Sequence, residues 1–250
     1  MTSAIFPSLA GKTVVVTGGG SGIGAQIVRS FVAQKSRVFF LDIAEQPSQA
    51  LAHELGDAAQ FLKCDLTNLA ELQATLASIE KRAGPVAVLV NNAANDDRHT
   101  FEQVTPAYWE DRINVNLRHY FFAAQALTAG MRRAGGGAII NVGSVSWHLA
   151  LPELVLYETS KAAIEGLTRA LARDLGEAGI RVTCVIPGAV RTPRQMALWH
   201  TPEEENKIVT QQCIKARVEP SDVAAMVQFL ASDDARFCTA HSYWVDAGYC

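Results

Sequence analysis

Short apolar runs rich in β-branched residues alternate with longer stretches of helical period along the whole chain. The runs are apolar at consecutive positions rather than at every second one, a pattern typical of strands that helices bury on both faces. Seven runs occur, at 12–18, 37–42, 59–65, 86–93, 137–144, 180–188 and 241–248. Strands that alternate with helices in this way predict a single α/β domain over 1–250, built on a doubly wound parallel sheet.

Helical periodicity predicts helices near 22–35, 68–82, 106–133, 155–177 and 220–232. In the fourth helix, Ile164 and Leu171 belong to an apolar face, while Glu165 and Arg169 lie on the other face. The stretch 189–219 breaks the rhythm with prolines and an acidic trio. Long loops in compact domains often cover a site, so we predict a helical substrate lid over 189–219.

Composition and charge exclude several classes of protein. The 250-residue chain has a net charge of −3 and no Lys/Arg-rich run, which argues against nucleic acid or an anionic membrane as the main partner. Its five cysteines include no C-x-x-C pair, so neither a disulfide framework nor a metal site is expected. With no signal segment and no long apolar run, the expected location is the cytoplasm.

A glycine-rich turn follows the first strand. The letters "TGGGSGIG" (17–24) lead directly from the strand into a predicted helix. Glycine lets the backbone approach a pyrophosphate closely, and the start of the helix offers free amides and a positive dipole end to the phosphates. The turn therefore predicts a nucleotide-binding site.

An acid at the end of the second strand indicates which nucleotide is bound. Asp42 lies 20 positions after Gly22, the spacing at which a carboxylate accepts hydrogen bonds from the adenosine ribose. A carboxylate repels a 2′-phosphate, and neither Ser21 nor Ile43 supplies a cation for one. Arg37, at the start of this strand, is expected to face solvent. The predicted cofactor is therefore NAD rather than NADP.

A second group of residues carries acid–base chemistry. Ser144 ends a predicted strand, and Tyr157 and Lys161 follow on one helix, four positions apart and so on the same face. A tyrosine with a pKa near 10 is a poor base at neutral pH, but a neighbouring cation favours its phenolate. Ser144 can hold a substrate oxygen while Tyr157 accepts its proton.

These motifs together resemble the short-chain dehydrogenase/reductase family over essentially the whole chain. The resemblance rests on 17–24 and on "CDLTN" (64–68), "NNAAN" (91–95), "INVNL" (113–117), "NVGS" (141–144), "YETSK" (157–161) and "IPGAVRTP" (186–193). It implies a Rossmann-type sheet of seven parallel strands, a nicotinamide cofactor and a homotetramer. Two positions depart from the usual pattern: Ala94 replaces a glycine, and Gly143 replaces a second serine.

The resemblance also implies the residues of the site. The catalytic set is Asn116, Ser144, Tyr157 and Lys161, with Asn116 holding a water that links Lys161 to solvent. The implied cofactor contacts lie around the glycine turn and after the other strands: Gly18, Ser21, Gly22, Ile23, Gly24, Asp42, Asp65, Leu66, Asn91, Ala93, Tyr157, Lys161, Pro187, Gly188, Val190 and Thr192.

Several segments around the expected pocket are polar and aromatic rather than apolar, which suits a polyhydroxylated ring better than a steroid or a fatty chain. Two of these segments, "NDDRH" (95–99) and "SWHL" (146–149), resemble a subgroup of NAD-dependent aldose 1-dehydrogenases. The segment "YWVDAG" (243–248), which is not one of the expected pocket segments, resembles the same subgroup. The implied reaction is oxidation of the anomeric hydroxyl to an aldonolactone, with D-xylose as the first candidate and L-arabinose or another aldose as alternatives. The expected substrate contacts are Asn95, Ser144, Trp147, His148, Glu153, Tyr157 and Gln195.

Two further functions stay open. A 3-oxoacyl or carbonyl reductase would require a preference for NADPH, which Asp42 disfavours. A non-catalytic NAD-binding regulator would be expected to lack one of Ser144, Tyr157 and Lys161, and all three are present.

Overall fold

The computed structural model describes residues 4–250 and contains one sheet of seven strands. The strands are β1 (Thr13–Thr17), β2 (Arg37–Asp42), β3 (Ala59–Lys63), β4 (Val88–Asn91), β5 (Gly137–Val142), β6 (Ile180–Pro187) and β7 (Ser242–Val245). Their order across the sheet is β3-β2-β1-β4-β5-β6-β7, and every neighbouring pair is parallel. Each predicted strand is found in its place.

Ten α-helices lie within the described residues 4–250. They are α1 (Gly22–Ala33), α2 (Glu45–Leu55), α3 (Leu69–Ala83), α4 (Pro106–Ile113), α5 (His119–Arg133), α6 (Ser146–Leu149), α7 (Val155–Leu175), α8 (Pro193–Leu198), α9 (Pro202–Gln211) and α10 (Pro220–Ala231). Helices cover both faces of the sheet, so the predicted fold class is confirmed.

Burial follows the two-faced pattern expected of a covered parallel sheet. Along β1, Val14 and Val16 pack into the core layer that contains residues of α1 and α10. Val15, between them, packs into the opposite layer with residues of α3 and α5. Alternate side chains of one strand are therefore buried on opposite faces, which explains the consecutive apolar residues in the sequence.

Two helical segments differ from the prediction. Helix α2 was not predicted, because Pro47 and several polar residues hide its period; the proline lies within the first turn, where its missing N–H costs no helical hydrogen bond. The predicted helix 106–133 is interrupted by a π-helical turn at Asn114–Arg118. Such turns insert one residue into an α-helix and are frequent at functional sites.

The strand order reverses between β1 and β4, since β2 and β3 lie on one side of β1 and the later strands on the other. In open parallel sheets, ligands bind beyond the carboxyl ends of the strands at this point. The predicted glycine turn and the predicted Ser144 both follow strands that end on this edge.

Candidate active site

The turn between β1 and α1 brings backbone segments together at two glycines. Gly18 has a φ of +65°, which residues with a Cβ rarely adopt. A Cβ on Gly24 would lie 1.9 Å from the carbonyl oxygen of Gly18 and 2.6 Å from Nδ2 of Asn92. The turn therefore depends on close approaches that only glycine permits, and the amides that open α1 suit phosphate groups.

Asn92 holds this turn from the neighbouring strand, a role that sequence reasoning missed. Its Nδ2 donates to the carbonyl oxygens of Thr17 (3.1 Å) and Gly18 (2.9 Å). Its backbone N–H donates to Oγ1 of Thr17 at 3.0 Å. The second asparagine of "NNAAN" thus ties the end of β4 to the end of β1, across the point where the strand order reverses.

Asp42 ends β2 beside the glycine turn. One carboxylate oxygen accepts the N–H of Gly20 at 2.8 Å, and the other accepts the N–H of Ala44 at 2.9 Å. Ile43 is 66% exposed, and Arg37 is exposed at the far end of the strand. The carboxylate therefore lies next to the glycine turn with lone pairs left on each oxygen, and its contact with an adenosine ribose stays a prediction.

The other predicted cofactor residues lie at or just after the ends of β3, β4 and β6. Thr192 approaches the glycine turn, since its Cγ2 is 3.4 Å from the Cβ position of Gly22. Asn91 is fully buried, and its Nδ2 donates to Oδ1 of Asn141 at 3.0 Å. The glycine turn, the acid and the end of β6 line one continuous edge, and this arrangement fits a dinucleotide cofactor.

Ser144, Tyr157 and Lys161 are brought together beyond β5. Ser144 Oγ lies 2.9 Å from Ser146 Oγ and accepts the backbone N–H of Ser146 at 3.1 Å. Nζ of Lys161 lies 5.4 Å from the ring centroid of Tyr157. The one-turn spacing on α7 therefore produces the predicted neighbourhood of a phenol and an ammonium.

Burial shifts the pKa values of Tyr157 and Lys161 in opposite directions. It raises the pKa of Tyr157 well above its ordinary value, and the charge of Asp96 raises it further, while the Ser144 hydroxyl lowers it. Burial lowers the pKa of Lys161 to about 8, with Cys184 and Asp96 acting in the opposite direction. Without a ligand, the protein thus disfavours the ionised form of both groups, because each has lost contact with water.

Asn116 lies in the π-helical turn and is fully buried. Its Oδ1 accepts the backbone N–H of Asn95 at 2.7 Å, and its Nδ2 donates to the carbonyl oxygen of Asn95 at 3.0 Å. Both ends of the amide are therefore bound to the loop after β4. Asn116 thus fixes the loop after β4 beside α7. Its implied role in a water relay stays a prediction.

Two of the predicted substrate residues bind an acid on α7. Trp147 Nε1 donates to Oε1 of Glu165 at 2.8 Å, and His148 Nε2 lies 3.0 Å from the same oxygen. Ser242 Oγ donates to Oε2 at 2.9 Å. Donors from α6 and β7 therefore surround the carboxylate of Glu165, which lies on the polar face of α7. The His148 ring also lies 4.3 Å from that of Trp244.

The remaining predicted substrate residues lie on the loop after β4, on the loop before α7 and on helix α8. Gln195 donates from Nε2 to Oδ2 of Asp96 at 2.6 Å, and Asn95 Oδ1 accepts the N–H of Asp97 at 2.8 Å. Glu153 is exposed, with a φ of +63°. Asp96 connects two of these residues, because it follows Asn95 in the chain and accepts the hydrogen bond from Gln195. Glu153 lies on a separate loop.

Sequence reasoning missed two residues close to the reacting groups. Asp96 follows Asn95 directly, and its carboxylate charge acts on both Tyr157 and Lys161. Tyr120 is fully buried on α5, and its hydroxyl accepts a hydrogen bond from Lys161 Nζ at 3.2 Å. The neighbourhood of Asn95 could have indicated Asp96, but nothing in the sequence distinguishes Tyr120 from an ordinary core aromatic.

The predicted lid segment, 189–219, contains α8 and α9. Arg194 donates to Asp96 at 3.1 Å and to Asp97 at 2.6 Å, which ties α8 to the loop after β4. Glu205 of α9 lies 3.0 Å from His200 and 3.3 Å from Arg217. Ion pairs therefore fasten α8 to the loop after β4, and the role of the segment as a substrate lid stays a prediction.

No helix within residues 4–250 is both long and apolar enough to cross a membrane. The same residues contain no group of three His, Cys, Asp or Glu side chains that could hold a metal ion.

Comparison with known proteins gives consistent matches over the full chain. Residues 18–250 match a family model described as enoyl-(acyl carrier protein) reductase. The chain is 58% identical to a D-xylose 1-dehydrogenase of Caulobacter vibrioides, with 100% of both chains covered. It is 43% identical to a probable galactose dehydrogenase of Rhizobium meliloti, covering 99% of this chain and 98% of the relative.

A solved structure shows the same fold. The structure is a blue fluorescent protein from a metagenomic library in complex with NADPH, 36% identical to this chain, with a TM-score of 0.89 and coverage of 97% of this chain and 99% of that one. The seven-stranded parallel fold agrees with these matches. The chain belongs to the short-chain dehydrogenase/reductase family of oxidoreductases.

Proposed function

We propose that this protein is an NAD-dependent dehydrogenase that oxidises the anomeric C1 hydroxyl of an aldose, D-xylose in the first place, to the aldonolactone. The observation that carries the substrate assignment is the 58% identity, without truncation, to a D-xylose 1-dehydrogenase. The second sugar dehydrogenase among the relatives supports an aldose more generally.

The chain's own residues supply the proton chemistry. Ser144 holds the anomeric oxygen with a hydrogen bond, and Tyr157, as phenolate, accepts the proton of that hydroxyl. The ammonium of Lys161 stabilises the phenolate, because an opposite charge at short range favours the ionised form. A bound nicotinamide cofactor would supply the hydride acceptor, so that the sugar, having given its proton to Tyr157 and a hydride from C1, would become a lactone. Asn116 keeps the loop after β4 in place beside these groups.

The surroundings of Tyr157 suit a molecule with many hydroxyl groups. Asn95 and Asp96 on the loop after β4, and Gln195 on α8, carry amide and carboxylate groups, and a carboxylate accepts hydrogen bonds from sugar hydroxyls strongly. Trp147 and His148 offer aromatic surface for a sugar ring face. Glu153 completes the proposed set from the loop before α7. These groups give a pocket that is more polar than a steroid or an acyl chain would favour.

Initial rates of NADH formation over a panel of substrates test the proposal. We expect turnover of D-xylose, with L-arabinose and D-galactose as slower substrates, and no turnover of a steroid alcohol or a 3-hydroxyacyl thioester. Activity on none of the sugars, combined with activity on the thioester or the steroid, would show that the substrate class is wrong.

The family model's description keeps a reductase of acyl thioesters as the second candidate. That function predicts a preference for NADPH and oxidation of NADPH in the presence of a 3-oxoacyl thioester. A regulator without catalysis predicts tight NADH binding and no turnover with any compound of the panel. A parallel assay of NADPH oxidation with the 3-oxoacyl thioester tests the first alternative, and a fluorescence titration with NADH tests the second.

The preference for NAD is proposed from Asp42 and its surroundings. Replacing Asp42 with Ala removes the charge that repels a 2′-phosphate, and adding Ile43→Arg supplies a cation at a 66% exposed position. We expect the ratio of kcat/KM for NAD to that for NADP to fall on the order of ten- to hundredfold, about 1.4 to 2.8 kcal/mol, in the double variant. Steady-state kinetics with both cofactors measures the change.

Asp57→Ala is the matched control, since this exposed carboxylate lies before β3 at the opposite edge of the sheet. Its cofactor ratio should equal that of the unaltered protein. An unchanged ratio in the Asp42→Ala/Ile43→Arg variant would refute the assignment of Asp42 to the ribose.

The homotetramer implied by the family resemblance is part of this proposal. Trp244, on the outermost strand β7, is 39% exposed, and its ring lies 4.3 Å from that of His148 at a tilt of 54°, so it offers apolar surface to a second copy. Light scattering of the purified protein gives the mass directly. A monomer at micromolar concentration would contradict the proposed assembly.

A further inference from the structure

Lys161 is a buried cation that relies on neutral partners. The residue is 1% exposed, and its Nζ donates to the carbonyl oxygen of Val142 at 2.8 Å and to the hydroxyl oxygen of Tyr120 at 3.2 Å. No salt bridge within residues 4–250 involves Lys161. A buried ammonium without a paired anion depends strongly on the acceptors it has.

The orientation of the Tyr120 hydroxyl follows from its own hydrogen bonds. Tyr120 is fully buried, and its hydroxyl donates to the same Val142 carbonyl at 3.0 Å. A phenol has one proton, so the oxygen lone pairs are left for Lys161, which can only donate. Burial raises the pKa of Tyr120 well above its ordinary value, and the hydroxyl therefore remains a neutral acceptor.

The ammonium lies between two phenols with different roles. Its Nζ is 5.5 Å from the ring centroid of Tyr120 and 5.4 Å from that of Tyr157. Tyr120 and Val142 occupy two of its three donor positions from the core side. The third N–H of the ammonium is left for Tyr157 and for ligands on the open side of the site.

Five other titratable side chains lie around Lys161 on the elements that pack against it. They are Tyr157, Tyr120, His119, Cys184 and Asp96. Burial lowers the pKa of His119 to about 3 and raises that of Cys184 to about 12, so both are neutral near pH 7. The carboxylate of Asp96 is then the remaining charge among them. Val142 and Tyr120 are the groups that accept hydrogen bonds from the ammonium directly, at 2.8 and 3.2 Å, while Asp96 acts on it through its charge.

We propose that Tyr120 is a positioning residue, whose neutral phenol holds the Lys161 ammonium protonated and in place to stabilise the phenolate of Tyr157. This inference rests on the proposed dehydrogenase function. Phenylalanine would fill the same space without offering an acceptor, so Tyr120→Phe separates the hydroxyl from the packing of the ring.

The direct test is an NMR titration of the lysine ammonium groups in the protein without cofactor. The Lys161 signal is assigned by its absence in Lys161→Met. In the unaltered protein we expect it to titrate near pH 8, and in Tyr120→Phe about one pH unit or more lower, because a charge-assisted hydrogen bond to the protonated form is lost. Tyr243→Phe, on β7 and outside the site, should leave the titration unchanged.

Kinetics provides the second measurement. We expect Tyr120→Phe to lower kcat for the sugar about tenfold or more, since a less stable ammonium supports the phenolate less, with a smaller change in KM. Tyr243→Phe should keep the kcat of the unaltered protein.

An unchanged Lys161 titration in Tyr120→Phe would overturn the inference, even if activity and thermal stability both fell, because that pattern indicates packing alone. If the unaltered protein oxidises no sugar, the proposed function fails while the titration still decides the role of Tyr120. A lowered Lys161 pKa with unchanged kcat would also overturn the inference.

Discussion

Replacing Tyr157 with Phe is expected to reduce kcat/KM for the sugar on the order of 10²- to 10⁴-fold, the range that a positioned general base contributes. The phenol is the group beside Ser144 and Lys161 that can take the proton of the anomeric hydroxyl. Phenylalanine keeps the aromatic packing and removes only the hydroxyl, so the fold should be retained. Rates of NADH formation with D-xylose measure the effect.

Binding measurements distinguish loss of chemistry from loss of structure. We expect Tyr157→Phe to bind NADH, measured by its fluorescence, within about tenfold of the unaltered protein, a difference of about 1.4 kcal/mol. Tyr243→Phe, remote from the site, should keep both activity and binding. A Tyr157→Phe variant with more than a tenth of the original kcat/KM would show that another group accepts the proton.

Gly24→Ala is expected to weaken NADH binding about a hundredfold or more, which corresponds to about 2.8 kcal/mol. The added Cβ would lie 1.9 Å from the carbonyl oxygen of Gly18, a backbone atom that cannot move without opening the phosphate turn. Overpacking at such a contact also lowers the free energy of unfolding, by about 1 to 3 kcal/mol. Fluorescence titration with NADH and denaturant unfolding measure the two effects.

Gly166→Ala is the matched control for this substitution. Gly166 lies in the interior of helix α7, and a Cβ there would meet nothing within 4 Å. Alanine favours a helix over glycine, so we expect the free energy of unfolding to rise by about 0.5 to 1 kcal/mol with NADH binding unchanged. Equal NADH affinities for Gly24→Ala and the unaltered protein would contradict the assigned role of the turn.

Much of the fold could be predicted from the sequence, because burial on both faces leaves a local signal. Each strand was expected within a few residues of its observed bounds, and the parallel sheet followed from the alternation with helices. Helix α2 was missed because its few apolar residues, such as Leu51, are spread among polar ones and a proline. Its position depends on packing against the sheet rather than on a strong period of its own.

The site was predictable where its chemistry is local in sequence. Tyr157 and Lys161 lie one helical turn apart, and the glycines of the phosphate turn lie within one short segment. Contacts between distant segments were not predictable in this way. The bonds from Asn92 to the glycine turn and from Trp147 to Glu165 join residues 74 and 18 positions apart.

By itself, the sequence determined the parallel α/β architecture, the glycine turn with Asp42 beside it, and the pair of Tyr157 and Lys161. Each of these depends on spacing within one or two elements. Only the tertiary structure decided which side chains complete the site. Tyr120 is an aromatic residue like many others until the packing of α5 against β5 and α7 places its hydroxyl on Lys161. The physical reason is that a buried hydrogen bond forms only where a donor and an acceptor from distant segments are brought within bonding distance. That distance is a property of the folded chain.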